Sequence, residues 1–247
     1  MDILVIGGGA AGMMAAVEAV QNPQAKVMLI EKNPGLGHKV LISGGGRCNV
    51  TTGFHDLRAL VQRYPRGGKF LQSAFYRFSP QAVMDWFETH DVPLKVEADG
   101  RVFPQSDNGK DVLGALEKSL QAKGAKILLR KEVASIQKER RFLVTLKSGE
   151  SFEVDKVILT TGGQAYRHTG STGDGYSFAE SLGHHITPLA PSLNSFIVKE
   201  NGLVNWREFP SKKFSSKSKR SKNMNGRDPS SSLIEASRGQ LFLRFLP

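Results

Sequence analysis

The chain has 247 residues, of which 39% are hydrophobic and 23% charged, enough to bury a real core as one large domain or a domain with an appendage. No apolar run approaches the ~18 residues of a membrane helix, and the opening MDILVIGGG lacks the basic n-region and the long apolar run of a signal peptide. A single cysteine, Cys48, excludes an intrachain disulfide and points to a reducing, cytoplasmic setting. The net charge of +11 is uneven: residues 201–247 hold ten Lys/Arg against three Asp/Glu, whereas residues 1–200 hold 24 against 20.

In chain order, residues 2–6 (DILVI) read as a short buried parallel strand. Gly7, Gly9 and Gly12 follow as G-x-G-x-x-G and lead into a helix expected from about Ala11 to Val20. Asn22-Pro23 ends that helix, and KVMLI (26–30) reads as a second buried strand closed by Glu31. Each part has a task in a dinucleotide-binding unit. Gly7 permits the sharp turn, Gly9 keeps a side chain out of the pyrophosphate's place, and Gly12 lets the helix lie close on the sheet. The helix start at Ala10 and Ala11 offers unpaired N–H groups and a positive dipole end to phosphate. Glu31, with Lys32 beside it, is placed to meet the adenosine ribose, and an acid there favours NAD or FAD over NADP.

The stretch GLGHKVLISGGGRCNVTT (35–52) interrupts what a pure NAD domain would continue as another βαβ unit. Gly44, Gly45 and Gly46 can lie flat against a planar ring or a phosphate, or form a plain surface loop. Arg47 suits a phosphate or a carboxylate. Further on, PQAVMDWFETH (80–90) reads as a helix opened by Pro, LKVEADGRVF (94–103) as a hairpin about Asp99-Gly100, and 112–123 as a helix stopped by Gly124. Residues 126–129, 132–136 and 142–146 read as strands, and 147–155 contains a Ser-Gly turn. Another buried strand, DKVILTT (155–161), runs into Gly162-Gly163 and then GSTGDG (170–175), before a helix over 176–182 that ends at Gly183. Asp174 at that helix start could hold ribityl or ribose hydroxyls or simply cap the helix. Cys48 reads as structural, because no resolving thiol exists. His184 and His185 lack the partners of a metal site. No residue announces itself as a catalytic acid or base.

Across 1–198 the stretches DILVIGGGAAGMMAA, KVLISGGGRCNVTT, GRVFPQSD, VILTTGGQAYRHTGSTGDGYSFAESLGH and PSLNSFIV resemble one family. It is the bacterial FAD-dependent oxidoreductase family of two-dinucleotide-binding flavoproteins, which includes bile-acid-type enone reductases. The resemblance implies an α/β fold: an FAD-binding Rossmann-like domain built on a parallel sheet. It implies FAD with its pyrophosphate at Gly7–Gly12 and its ribose at Glu31. The loop from Lys39 to Asn49 would lie along pyrophosphate and flavin. Val133 would meet adenine through its backbone, and Thr161, Gly162 and Gly163 would close over the nucleotide. His38 and Thr52 depart from the family pattern, where Arg and Asn are usual.

After Val198 the resemblance stops. The tail is basic, aperiodic and holds nine Ser in residues 201–247, which suggests an irregular, disordered arm. A shifted reading gives another account. Codons formed from the third base of one residue and the first two of the next permit AGISF over 206–211. They force Glu at Met224-Asn225 and permit WTGPILLTHRGISGPAVFALSA over 225–247, which resembles the family's own continuation. The expected organisation is therefore an incomplete FAD-binding domain, 1–198, and an out-of-frame tail, 199–247. The leading expectation is a flavoprotein oxidoreductase, inactive if truncated in this way. It would act on a small-molecule substrate, with NAD(P)H as the candidate reductant. The alternatives are a dinucleotide-binding protein without turnover, or non-specific polyanion binding by the tail. No nucleic-acid motif supports a specific RNA or DNA partner.

Overall fold

A computed structural model describes residues 1–64 and 67–189, together with the backbone of 194–195, 232–237 and 240–245. The chain divides into two units, Met1–Val61 with Lys69–Ile186, and Gln62–Gly68 with Thr187–Pro247.

The elements of the first unit and its borders follow in order. They are β1 (Asp2–Ile6), α1 (Ala10–Ala19), β2 (Lys26–Ile30), α2 (His38–Ile42), β3 (Thr51–Thr52), α3 (Leu57–Gln62), α4 (Gly68–Arg77) and α5 (Pro80–Glu88). Then come β4 (Leu94–Val96), β5 (Arg101–Pro104), α6 (Gly109–Ala122), β6 (Lys126–Leu128), β7 (Val133–Lys138), β8 (Phe142–Leu146), β9 (Ser151–Val154), β10 (Lys156–Leu159) and α7 (Asp174–Ser181).

The central sheet is parallel, in the order β10-β1-β2-β6. β1 is its pivot, with Ile3 opposite both Val27 and Lys156. Side chains alternate across a strand, and β1 uses both faces. Ile3 and Val5 pack with Met13, Val17, Leu116 and Leu120, beneath α1 and α6. Leu4 and Ile6 pack with Val133, Ile136, Val144 and Phe178, toward the antiparallel sheet β7-β8-β9. The result is three layers: helices, parallel sheet, small antiparallel sheet. Leu4 and Val5 are fully buried, and each such side chain contributes about 1.5–3 kcal/mol relative to exposure. Arg141 ties the outer sheet to the central one through Asp2 (2.7 Å) and Asp155 (2.9 Å).

The expected strands, hairpin and helices form with shifted ends. α6 starts three residues early because the Asn108 side chain accepts from the Lys110 N–H at 3.1 Å and caps it. α7 starts two residues early, at Asp174. The helices α2, α3 and α4 were not foreseen: α2 and α3 are one to two turns long and carry too little periodicity to read.

In the second unit, β11 (Asn194–Ser195), β12 (Ser232–Ser237) and β13 (Gln240–Phe245) pair antiparallel in the order β11-β13-β12. A sheet therefore stands in part of the tail where the composition suggested only irregular chain. The rest of that tail, and with it most of the shifted-frame expectation, lies outside the described residues. Among the described residues no helix is long and apolar enough to cross a membrane.

Candidate cofactor site

The crevice opens where parallel strands end, at the carboxyl ends of β1, β2 and β10, as the topology dictates. A cavity of about 560 Å³ lies there.

The β1–α1 turn forms its floor. Gly7 has φ 108°, and a Cβ there would stand 2.5 Å from the Thr160 carbonyl oxygen. Gly12 packs so closely that a Cβ would meet the Gly7 carbonyl oxygen and, at 2.6 Å, Thr160 Oγ1. That hydroxyl itself donates to the carbonyls of Ile6 (2.9 Å) and Gly7 (3.1 Å), which locks β10 to the turn. Gly9 differs: a Cβ there would meet nothing within 4 Å, and it lines the cavity with Ala10 and Ala11. No side chain caps the start of α1 and no acid lies in its first turn. The positive end of the helix therefore faces the cavity unneutralised.

Glu31 ends β2 with only 9% of its surface exposed. Its Oε2 accepts from the Gly8 N–H at 2.6 Å and its Oε1 from the Asn33 N–H at 2.8 Å. Two backbone donors thus fix the carboxylate at the cavity wall, each oxygen keeping acceptor capacity for a ligand. Val133 stands near it, buried at a bulge in the β7–β8 pairing.

Thr169, Gly170, Ser171 and Asp174 also line the cavity, and three side chains of the segment after β2 stitch this loop in place. Lys32 Nζ reaches Asp174 Oδ2 (2.6 Å) and Thr172 Oγ1 (2.7 Å), Asn33 Nδ2 reaches the Thr169 carbonyl (3.2 Å), and Lys39 Nζ reaches Ser171 Oγ (2.7 Å). Burial pushes the Asp174 carboxyl up, but the hydrogen bonds from Lys32 and Thr172 and the charge of Lys32 outweigh it and hold the group below the usual carboxylate range. Burial lowers the Lys39 ammonium from its ordinary value. No carboxylate pairs with Lys39 among the described residues. Thr161 and Gly162 line this side too, whereas Gly163 does not.

The glycine turn contributes differently from its neighbours. Gly44, Gly45 and Gly46 take left-handed φ of 57°, 71° and 90° and do not line the cavity; Ser43, Cys48 and Asn49 do. Arg47 also lies off the cavity. The carboxylates it meets are the protein's own, Glu97 at 2.6 Å and Asp107 at 3.4 Å, and its guanidinium stacks 3.8 Å over the Phe103 ring. Cys48 is buried, and burial pushes its thiol up despite a hydrogen bond with Ser43. Beyond the turn the cavity becomes apolar, lined by Met14, Val83, Phe87, Val112 and Leu116. Sequence reasoning missed Gly8, Asn33 and Ser171. The partner of Ser171, Lys39, lies 132 residues away and leaves no local signal for it. Among the described residues no group of His, Cys, Asp or Glu could hold a metal.

These features fit FAD. An open Gly9 cradle with uncapped helix N–H groups suits a pyrophosphate, a fixed carboxylate suits ribose hydroxyls, and an apolar far end suits a planar ring system. Comparison with known proteins agrees. Residues 1–226 match the family described as HI0933-like protein Rossmann domain. A 3-dehydro-bile acid delta(4,6)-reductase of Clostridium scindens is 32% identical over 198 residues, covering 80% of this chain and 47% of that protein. A ribosomal RNA dihydrouridine synthase of Escherichia coli K12 is 29% identical over 197 residues, covering 80% and 48%. A solved flavocytochrome c3 fumarate reductase, in an open conformation, shares the fold with a TM-score of 0.55 at 23% identity, covering 73% of this chain and 40% of that one. The chain spans about half the length of the curated relatives it matches. It belongs to the HI0933-like Rossmann family of FAD-binding flavoproteins.

Proposed function

We propose that this chain is the FAD-binding part of an oxidoreductase that adds hydrogen across a double bond of an organic substrate. The observation that carries the cofactor part of the reading is the buried Glu31 carboxylate beside the open Gly9 cradle at the head of α1. When bound, FAD supplies two-electron transfer: hydride in from a reductant and out to an acceptor. The chain's own residues bind and orient. Ala10 and Ala11 offer N–H groups to the pyrophosphate, Glu31 accepts from the ribose, and Val133 borders the adenine. Asp174, at the end of the stitched loop, and Lys39, on α2, address the remaining polar groups, and Asn49 with the apolar end receives the ring. The names of the two relatives, a delta(4,6)-reductase and a dihydrouridine synthase, both describe hydrogen added to a double bond. That common chemistry supports a substrate with an activated double bond. NAD(P)H as reductant and a cytoplasmic setting complete the reading.

The reading also takes residues 1–198 as the binding domain, and the sequence from about residue 200 onward as an out-of-frame rendering of the family's continuation. Two measurements test it. The visible spectrum of the purified chain, before and after anaerobic NADH, should show flavin bands that bleach; a colourless chain that takes up no added FAD refutes the cofactor assignment. Resequencing the gene from codon 195 onward should reveal a missing or extra base near codons 199–205 relative to related strains; an intact frame refutes the second part.

A further inference from the structure

The hairpin β4–β5 lies outside the cavity, yet it grips the segment that forms one wall of it. Arg47 is the grip. Its NH1 lies 2.6 Å from Glu97 Oε1, its Nε donates to the Gly44 carbonyl at 3.4 Å, and its guanidinium rests 3.8 Å over Phe103, which is fully buried. The same hairpin holds the chain just beyond: Val102 N–H donates to Asn49 Oδ1 (3.2 Å), and Val50 N–H donates to the Val102 carbonyl (2.8 Å). The turn needs such holding. Gly44, Gly45 and Gly46 are conformationally loose by nature, and Cys48, which has a Cβ, sits at φ 63°. A side-chain-bearing residue stays in that region only when its surroundings over-determine it. On its inner side the same turn presents Ser43, Cys48 and Asn49 to the cavity.

We propose that Arg47 is a positioning residue for the cofactor site. It touches the hairpin rather than the ligand, and through Glu97 and Phe103 it sets the glycine turn so that Ser43 and Asn49 face the flavin. The proposal rests on the FAD reading above. It turns a residue suited by type to a phosphate or a carboxylate into the outer bolt of the site. Arg rather than Lys is required, because only a planar guanidinium can stack on Phe103 while pairing with Glu97.

The test is a cycle of R47A, E97A and the double variant in the full chain, with R47K and R101A beside them. FAD affinity is read by titration, the setting of the ring by visible circular dichroism of bound flavin, and the apo fold by melting temperature. R47A and E97A should each weaken FAD about 5- to 20-fold, with the double variant no worse than either single one. The flavin dichroism should change alike in both singles. R47K should fall between wild type and R47A. R101A, which removes the other cation on Glu97 (3.3 Å), should leave FAD affinity unchanged. An R47A loss with an unaffected E97A would show that Glu97, which shares Arg47 with Asp107 at 3.4 Å, is not the anchor, and would overturn the proposal. Unchanged FAD affinity in both singles would overturn it too. If R47A does not fold, E97A and R47K decide on the same criteria. A wild-type chain that takes up no FAD fails the cofactor reading itself, and this proposal falls with it.

Discussion

Glu31 serves the fold and the ligand at once, and the two roles separate experimentally. Its carboxylate receives two backbone donors, Gly8 N–H on one oxygen and Asn33 N–H on the other, at 9% exposure. In Glu31→Ala both donors lose their partner in a nearly dry place, which costs about 1–3 kcal/mol for each that water cannot reach. In Glu31→Gln the shape survives, but an amide has a single acceptor oxygen, so its NH2 must face one of the two donors. The apo chain should therefore melt lower in both variants. The ligand effect comes on top. A hydrogen bond between a carboxylate and a ribose hydroxyl contributes about 1.5–3 kcal/mol, which corresponds to roughly a 10- to 150-fold rise in Kd. Calorimetry of the apo chain and FAD titration below the lowered melting point measure the two terms independently. A lower melting temperature with an unchanged Kd would show that Glu31 is only a staple for the Gly8 and Asn33 turns, and the ribose assignment would be refuted.

Gly9→Val should leave the apo fold intact, since Gly9 has φ −78° and open space for a side chain, yet abolish stoichiometric FAD uptake; retention of flavin at wild-type stoichiometry would sink the pyrophosphate site. Gly12→Ala should do the reverse in kind, unfolding the chain at lower temperature because its Cβ would enter the Gly7 carbonyl, as a melting curve without cofactor will show. Cys48, buried and with its thiol pushed up, should react with a thiol reagent at pH 7.5 far more slowly in the folded chain than in urea; equal rates would contradict the burial. For Asp174 the folded carboxyl titrates below its unfolded value. The stitch to Lys32 is therefore fully present above about pH 4 and is lost as pH falls through the lower folded value. FAD release should accelerate across that acid window in wild type and show no such step in Asp174→Asn.

The parts that could be read from the sequence are those whose causes are local. The β1–turn–α1–β2 unit and Glu31 lie within 31 residues, although the close approach at Gly7, and part of that at Gly12, is made by Thr160 far along the chain. The hairpin at Asp99-Gly100 and the stop at Gly124 are likewise written in adjacent residues. What stayed hidden is long-range. Nothing near Lys39 announces Ser171, 132 residues away, and nothing near Arg47 announces Glu97, 50 residues away. Arg47 shows the cost: its type suited a phosphate or a carboxylate, and its neighbours in space are the protein's own carboxylates, Glu97 and Asp107. Gly8 was overlooked for another reason, because its role is carried by a backbone N–H that leaves no mark in the side-chain type.

The central strand has a consequence for how the chain is made. β1 pairs with β2 within the first 30 residues, but its other edge waits for β10, which ends at Leu159. At about 5–20 residues per second on the ribosome, that edge stays unpaired for roughly 6–26 s. An unpaired, largely apolar strand edge invites pairing with other chains. The nascent protein thus carries half a nucleotide site and an open seam until the segment around Thr160 emerges, locks onto Ile6 and Gly7, and closes both together.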